Sequence, residues 1–362
     1  MIVCLYGKTA EAFVTPALAD MQSAAAARGA EINALSIETA LRGEREWQSV
    51  ERVYTLPFDV PAHLPAELPA APPLLVRALF PRAELINVPE VHELCWDKIA
   101  TARRLLERGV SMPESLFTND PEEARQFVGQ HRQAILKETH SCGGHGHIVV
   151  FADDRGTIGG EASGRRYAVD FETSGTERTL TDGVLACPPP FYLQRMVADV
   201  ARSGALQPAQ ILRAYVVDGQ VAFWTERYRD RVRRPGDFII SRTFGAKYRF
   251  LREVSDAAQT VARRAAEVLG VRVGAVDLIR TGDEGPYVLE VDTDGYHMMI
   301  DRSFKRLPEY RDIYDFDAYI AELLLAPRVQ APPAPKKRPS PRTPRPRRPP
   351  SGQRPHRSRR PR

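Results

Sequence analysis

Two strand-like segments near residue 280 constrain this chain more than any other feature. Gly274–Arg280 and Pro286–Thr293 both alternate apolar and polar side chains. The connection between them, Thr281-Gly-Asp-Glu-Gly-Pro286, consists of residues that favour turns. The pattern therefore predicts a β-hairpin.

The acidic residues of this hairpin are predicted to face one another. If the turn is centred between Asp283 and Glu284, Asp277 lies opposite Glu290, and Asp292 shares the face of Glu290. Opposed carboxylates repel, so an apolar hairpin that carries them needs a cation between them. The three acids thus predict a site for Mg²⁺ with a bound polyphosphate, with Mn²⁺ as an alternative ion. A surface hairpin whose acids face water is the other interpretation of these residues alone.

Length and composition narrow the class of protein. The 362 residues exceed one ordinary core and predict two or three domains. No run of about 18 apolar residues occurs, so we expect no membrane span. Met1–Gly7 lacks a basic leader and is predicted to be a first strand rather than an export signal. The four cysteines form no Cys-x-x-Cys pair, which favours reduced thiols and a cytoplasmic location.

Charge divides the chain into two parts. Residues 327–362 contain 13 Lys/Arg, 12 Pro and no acid, whereas residues 1–326 hold 38 basic and 46 acidic side chains, a net charge of −8. The terminal segment cannot bury enough apolar surface to fold, so we expect a disordered basic tail. Such a tail can make weak, salt-sensitive contacts with nucleic acid or an acidic surface. A merely solubilising tail is the alternative.

The first 90 residues show the pattern of a small α/β unit. An Ala-rich helix is predicted at 16–28, and strands are predicted at 2–6, 31–35, 52–56 and 83–87. No Gly-rich fingerprint follows the first strand, which argues against a dinucleotide site there. A helix is then predicted from Val91 to Arg108, with Lys98 in it and Gly109 ending it.

A lysine and a glycine-rich loop follow in the middle of the chain. The predicted strand 133–138 carries Lys137 and leads through 139–147 into a strand at 148–151. Such a loop can fold over phosphates, its N–H groups and the lysine pointing at the oxygens. His140, Cys142, His145 and His147 also suggest zinc, but their spacing matches no structural zinc pattern, so a mobile lid is the favoured interpretation.

The remaining strands carry arginines. Phe191–Val197 is a predicted strand, and 211–217 with 220–227 form a second predicted hairpin around Asp218-Gly219. Arg213 and Arg227 interrupt that hairpin with cations suited to carboxylate or phosphate. Surface salt bridges are the alternative role for both. A helix at 256–269, ended by Gly270, precedes the acidic hairpin.

The order of these features resembles an ATP-grasp enzyme. It runs from Asp97-Lys98 through Leu136-Lys137 and the glycine loop, Leu193–Val197, and the two arginines to the three acids. The nearest resemblance is to the glutamate ligases that modify ribosomal protein tails and to related carboxylate-amine ligases. It covers roughly residues 85 to 325. No single motif is specific; their order and spacing together are.

The resemblance implies a role for each matching position. It implies phosphate-binding lysines at Lys98 and Lys137, and a flexible phosphate loop at Ser141–Gly146 that includes Gly143, Gly144 and Gly146. It also implies an adenine hinge at Gln194, Arg195, Met196 and Val197 and a ribose-binding acid at Asp199. The implied metal ligands are Asp277, Glu290 and Asp292, and Arg213 and Arg227 would face the acyl phosphate and the substrate carboxylates.

The sequence departs from the family pattern at several places. Asp292 stands where the family usually has Asn, and Asp294-Gly295 replaces a usual Pro-Gly. Ile211 stands where an acid usually precedes the arginine, and Ile239 and Ser241 replace basic and amide residues. These changes affect the expected substrate more than the expected nucleotide.

The resemblance implies an α/β fold of the α+β sandwich type. We expect a pre-ATP-grasp domain at 1–90, a central and lid subdomain at 91–195, a C-terminal subdomain with the metal site at 196–326, and the tail at 327–362. The implied activity joins a small-molecule or peptide carboxylate to an amine through an acyl phosphate, using ATP and releasing ADP and phosphate. Two alternatives stay open: an ATP-binding regulatory or scaffold protein tethered by its tail, and a carboxylate kinase whose product goes to a thiol. The sequence leaves the oligomeric state open.

Overall fold

A computed structural model describes residues 1–7, 11–43, 46–59, 61, 64–141, 144–162, 164–197, 210–229, 237, 239–240, 245–281, 284–293 and 316–326. Residues 1–326 form one compact unit, in which the described strands build three sheets. The predicted tail at 327–362 lies outside the described residues. No helix in the described part of the chain is long and apolar enough to cross a membrane.

The first sheet is parallel and four-stranded, in the order β2-β1-β3-β4. Its strands are β1 (Ile2–Tyr6), β2 (Ile32–Ser36), β3 (Arg52–Thr55) and β4 (Glu84–Ile86), and its helices are α1 (Glu11–Ala26), α2 (Ile37–Arg42) and α3 (Pro72–Leu79). Val3 and Leu5 pack in one apolar cluster and Cys4 in another. Because both faces of the sheet are covered, β1 is apolar at nearly every position.

Two helices occupy the segment predicted as one. They are α4 (Pro89–Trp96) and α5 (Lys98–Glu107), so the prediction of a continuous helix from 91 to 108 is wrong at its centre. Asp97 is extended, and its side chain accepts hydrogen bonds from the N–H groups of Ile99 and Ala100. This aspartate caps α5 and makes Lys98 its first residue.

The second sheet has eight strands in the order β10-β11-β9-β8-β7-β6-β12-β5. Its elements are β5 (Ser115–Thr118), α6 (Pro121–His131), β6 (Gln133–Lys137), β7 (Ile148–Ala152), β8 (Ile158–Ala162), β9 (Arg165–Phe171), β10 (Thr179–Thr181), β11 (Val184–Cys187) and β12 (Phe191–Arg195). Helix α6 packs its apolar face, including Phe127 and Val128, in the cluster that covers this sheet. Lys137 therefore ends a central strand, next to the glycine loop.

The third sheet is antiparallel, in the order β15-β14-β13-β16-β17. Its elements are β13 (Gln210–Val217), β14 (Gln220–Tyr228), β15 (Lys247–Leu251), α7 (Asp256–Leu269), β16 (Val273–Thr281) and β17 (Glu284–Asp292). Helix α7 has the predicted bounds, with Ser255 as N-cap and Gly270 at φ 74° as C-cap. Its alanines pack against Val276 and Val288, which leaves the opposite face of the acidic hairpin for the site.

The first and third sheets share one apolar cluster. Tyr6 of β1 and Tyr215 of β13 belong to it, together with Ile320 of α8 (Phe316–Leu325). The strands of each sheet come from one of the three predicted domain ranges. The shared apolar cluster, however, contains residues from both the first range and the last one. The division into domains at 90 and 195 stays a prediction.

Candidate active site

The acidic hairpin has the predicted strand pairing at its acidic residues. Asp277 of β16 pairs with Glu290 of β17, and Ala275 pairs with Asp292. One carboxylate oxygen from each of Asp277, Glu290 and Asp292 lies within 4.8 Å of the others. Among the described residues this is the one group of three or more His, Cys, Asp or Glu side chains that could hold a metal ion.

The register arises differently from the symmetric turn that the sequence suggested. The strands meet at Thr281 and Glu284, and the pairing shifts twice before it reaches Asp277. The two shifts place two additional residues on β17, which brings Glu290 opposite Asp277. One of the shifts leaves Leu289 as an extra residue on β17. As a result, the adjacent residues Leu289 and Glu290 both line a cavity between the second and third sheets. A β-bulge redirects side chains in this manner and is common beside active sites.

Two buried arginines lie beside the acids. Arg213 pairs with Asp277 across β13 and β16, and its Nη1 lies 3.4 Å from Asp277 Oδ2. Its Nη2 donates to Asp292, and Arg227 Nη2 donates to Asp277. Arg213 and Asp277 are each 2% exposed and Arg227 is 6% exposed, so these are interior ion pairs rather than surface ones.

The hydrogen bonds within the cluster do not satisfy every carboxylate oxygen. Its two guanidinium groups face three carboxyl groups, and Asp277 Oδ1 is buried without a hydrogen-bond partner in the described part of the chain. Burial, and then the charges of Asp292 and Asp277, raise the pKa of Glu290 from its ordinary 4.5 to about 7. Burial also raises the pKa of Asp292, but Arg213 and Arg227 outweigh it and hold that pKa below its ordinary value. The arrangement fits a cation.

Both predicted lysines lie next to the acids. Lys137 Nζ donates to the Leu289 carbonyl at 3.1 Å and lies 5.2 Å from the ring centre of Tyr192. Its pKa is lowered to about 8, mainly by burial; the charge of Glu290 opposes this change, and the charge of Lys98 contributes to it. Lys98 Nζ donates to the Ser141 carbonyl. The two ammonium groups thus border the acidic cluster from the second sheet and from the start of α5.

The glycine loop is fastened by a residue that the sequence did not single out. Gly144 and Gly146 have φ of 77° and 71°, which glycine adopts without strain. Arg178 donates to the carbonyls of Gly146 and Lys137 and lies 3.3 Å from Glu138 Oε2. It therefore ties the end of the loop to the lysine strand. Gly143, and with it Cys142, lies outside the described residues.

A cavity of about 60 Å³ lies between the second and third sheets. Ile135 and Ile211 line it on the apolar side, and Lys137, Asp277 and Glu290 line its polar end. Further lining residues come from the glycine loop, β12, the third sheet and residues 239–240: Gly144, His147, Gln194, Arg227, Leu289, Ile239 and Ile240. The lining combines apolar side chains with a lysine and two carboxylates, which suits a flat ring beside phosphates and a cation, but the cavity is smaller than a nucleotide and has to widen to admit one.

The predicted hinge lies on this cavity through its first residue. Gln194 is 1% exposed, and its Nε2 donates to Ser115 Oγ and Tyr192 Oη, while its Oε1 has no partner in the described part of the chain. Arg195 instead forms an ion pair of 2.7 Å with Glu284. Met196 and Val197 are buried. Asp199, the implied ribose-binding residue, lies outside the described residues.

Comparison with solved structures gives the fold. ATP-grasp ligase PsnB, complexed with minimal precursor, Mg and ADP, has a TM-score of 0.55 at 16% identity and covers 89% of this chain and 96% of its own. A RimK domain ATP-grasp protein from Sphaerobacter thermophilus has a TM-score of 0.51 at 17% identity and covers 90% and 100%. The chain has the ATP-grasp fold.

Curated proteins with similar sequences carry the name probable alpha-L-glutamate ligase. A probable alpha-L-glutamate ligase of Shewanella pealeana is 23% identical over 210 residues, which are 58% of this chain and 39% of that relative. One from Stenotrophomonas maltophilia is 26% identical over 197 residues, 54% of this chain and 56% of the relative. The chain thus spans about half the length of the curated relatives that it matches. No family model matches it.

His147 lines the cavity between the second and third sheets, although the sequence suggests only a zinc-binding role for its side chain. His147 follows the glycine loop, and its Nε2 is buried without a partner in the described part of the chain. Burial, then Lys137 and Lys98, lower its pKa well below the ordinary value, so the ring is neutral. Neither His147 nor Arg178 stands in a motif that the sequence alone could have linked to the acidic hairpin.

Proposed function

We propose that this chain is an ATP-dependent carboxylate-amine ligase that works through an acyl phosphate. The observation that carries the proposal is that Lys137, Asp277 and Glu290 line one cavity between the second and third sheets, with Asp292 and Lys98 beside them. The probable glutamate ligases among its relatives support this chemistry. So do the fold neighbours, which are ligases complexed with ADP or with precursor peptides.

ATP binds with its adenine in the inter-sheet cavity. Ile135, Ile211 and Leu289 supply apolar contacts, and Gln194 Oε1 is placed to accept a hydrogen bond from the adenine amino group. Met196 and Val197 complete the hinge, and Asp199 is proposed for the ribose. The phosphates extend toward the lysines and the loop of Ser141, Gly143, Gly144 and Gly146, whose N–H groups and neighbouring cations suit phosphate oxygens.

Asp277, Glu290 and Asp292 would hold Mg²⁺, and Mn²⁺ would take the same oxygen ligands. The unpartnered Asp277 Oδ1 and the raised pKa of Glu290 are what a cation would relieve. When bound, the ion neutralises phosphate charge as the phosphoryl group is transferred. Arg213 and Arg227 hold two of the three acids in place. We assign these arginines to face the acyl phosphate and the substrate carboxylate.

The reaction has two steps. A carboxylate oxygen of the substrate attacks the γ-phosphorus of ATP, the bond from phosphorus to the β–γ bridging oxygen breaks, and ADP leaves. The amine nitrogen then attacks the acyl carbon, the carbon–oxygen bond breaks, phosphate leaves with the electron pair, and the nitrogen releases one proton. The protein contributes position and charge, and a closed glycine loop keeps water from the acyl phosphate.

A crossed screen of carboxylates and amines tests the proposal. ADP release should require Mg²⁺ and rise with an amine, and mass spectrometry should find the amide. Glu290→Gln should abolish the amine-dependent rate, whereas Glu107→Gln, on the exposed side of α5, should not. AMP as product contradicts the proposal. ADP release that responds to thiols rather than amines favours the kinase alternative.

The regulatory or scaffold alternative predicts ATP binding without amine-dependent turnover. It is not favoured by the ligase relatives. The proposed weak contact of residues 327–362 with nucleic acid or an acidic surface is tested separately: removal of the tail should abolish salt-sensitive RNA retention and leave nucleotide affinity unchanged. A cytoplasmic location is part of the proposal, supported by Cys4, Cys95 and Cys187, which form no disulfide.

A further inference from the structure

A second, larger cavity lies on the other side of the acidic cluster. It encloses about 440 Å³ between the end of β3, α4 and the end of β17, which is the size of a small-molecule site. Lys98, Ser141 and Asp292 line its inner end. It therefore opens onto the place where the proposed function puts the reacting groups, yet it is separate from the cavity between the sheets.

The walls of this cavity are mainly apolar. Leu56, Pro57 and Phe58 after β3 form one side, and Pro89 and Trp96 of α4 form the other. Trp96 is 50% exposed, which is unusual for so large an apolar ring unless it covers a ligand or partner. The indole face is available for an apolar or cationic group.

The charged side chains on this cavity are mostly acidic. Asp59 and Glu93 lie on its outer part and Asp292 on its inner end, and Lys98 is the one cation among its described lining residues. The Lys98 ammonium is already engaged at the inner end, where it donates to the Ser141 carbonyl. Asp292 is already paired with Arg213, so an entering ligand meets the charges of Asp59 and Glu93 against that of Lys98, and a ligand with two carboxylates meets more negative charge than positive charge.

We propose that this cavity binds the amine substrate, and that the substrate is a primary amine with an aromatic or large apolar body rather than an acidic amino acid such as glutamate. This inference rests on the proposed function. The body packs on Phe58 and Trp96, and Asp59 and Glu93 attract the ammonium group as it enters. The ammonium group releases a proton to water, and the neutral amine attacks from the inner end of the cavity. Free aromatic amines and peptides with an aromatic first residue share this chemistry.

Binding tests the chemistry without turnover. The full chain is saturated with Mg²⁺ and ADP, and phenethylamine, phenylalanine amide, phenylalanylglycine, glutamate and 3-phenylpropionate are titrated by calorimetry. At least one of the three amines should bind. Glutamate should bind at least about tenfold more weakly because it carries two carboxylates, and 3-phenylpropionate should do so because it has no amine. Tighter binding of glutamate than of every aromatic amine would overturn the inference.

Substitutions locate the site. Asp59→Asn with Glu93→Gln should weaken the amine about tenfold, and Trp96→Ala should do the same, while Trp96→Phe retains most of the affinity because a ring remains. Glu107→Gln is the matched control outside the cavity. All these side chains are partly or largely exposed, so the variants should fold, and circular dichroism checks this. Amine affinity unchanged in both the double variant and Trp96→Ala would refute the assignment.

The two proposals fail in different ways. If an aromatic amine binds and the substitutions weaken it but no amide ever forms, the cavity assignment stands and the ligase function falls. If ADP release rises with glutamate and not with any aromatic amine, the ligase function stands and the cavity assignment falls.

Discussion

Replacement of Glu290 by Gln should make the metal-free protein more stable and inactive at the same time. Its pKa rises from 4.5 to about 7 because the carboxylate is buried beside Asp292 and Asp277. A tenfold change in acid dissociation corresponds to about 1.4 kcal/mol, so the ionised side chain costs the fold up to about 3 kcal/mol. The Glu290 side chain keeps some exposure to water, which reduces this cost. We therefore expect Glu290→Gln to raise the free energy of unfolding by about 1 to 2 kcal/mol.

The sign of the effect depends on pH. Because the folded pKa of this acid is raised, the cost is absent below about pH 4.5, grows as pH rises to about 7, and is complete above that. Glu290→Gln removes the cost, so its stabilisation should be full at pH 8 and vanish near pH 4.5. For a compact unit of this size, 1 to 2 kcal/mol corresponds to a rise of roughly 2 to 3 °C in the thermal midpoint.

Differential scanning calorimetry in EDTA at pH 8 and pH 5 measures this, with Glu107→Gln as the matched control on exposed surface. Addition of Mg²⁺ with a nucleotide should raise the midpoint of the wild-type protein and of Glu107→Gln, but much less that of Glu290→Gln. A metal-free Glu290→Gln protein that is less stable than wild type at pH 8 would refute the argument, because the carboxylate would then stabilise the fold without a cation.

Other residues give further expectations. Arg178→Gln should raise the KM for ATP several-fold with a smaller change in kcat, because the hydrogen bonds of Arg178 to Gly146 and Lys137 order the glycine loop. Steady-state kinetics measure this, with Arg125→Gln as the control on the surface. Equal kinetic constants in the two variants would contradict the expectation. His92→Phe removes bonds to Thr293 and Thr55 and should cost about 1 to 3 kcal/mol by calorimetry, and an unchanged midpoint would contradict it. Affinity for a magnesium-bound non-hydrolysable ATP analogue should fall above pH 8, where Lys137 loses its proton. The affinity of Lys137→Arg should depend less on pH. Calorimetric titrations from pH 7 to 9.5 measure both affinities, and an equal pH dependence in the two proteins would contradict the expectation.

The sequence predicted the acidic pair correctly although its turn was misplaced. Asp277 and Glu290 pair as expected, but the pairing of the strands ends at Thr281 and Glu284, and β17 contains two extra residues. Alternation of apolar residues defines which side chains share a face, so it located the acids. A bulge such as the one at Leu289 depends on tertiary contacts, here including the Lys137 ammonium on the Leu289 carbonyl, and has no local signature.

Local rules succeeded where the determinants were local. Helix α7 has its predicted bounds because Ser255 and Gly270 cap it. The predicted helix 91–108 is interrupted at Asp97, which caps α5. An aspartate can cap a helix or lie inside one, so the sequence alone did not reveal the interruption. Arg178 was missed for a related reason: it reaches the glycine loop from a connection some 30 residues later in the chain.

The acyl phosphate is the centre of the account, and isotope transfer tests it most directly. The carboxylate that gives the largest amine-dependent ADP release is labelled with ¹⁸O in both oxygens, and the released phosphate is analysed by mass spectrometry. The account predicts one ¹⁸O atom in each phosphate formed with the amide, because the carboxylate oxygen that attacked the γ-phosphorus leaves with it. Unlabelled phosphate, or label found in AMP, would contradict the account.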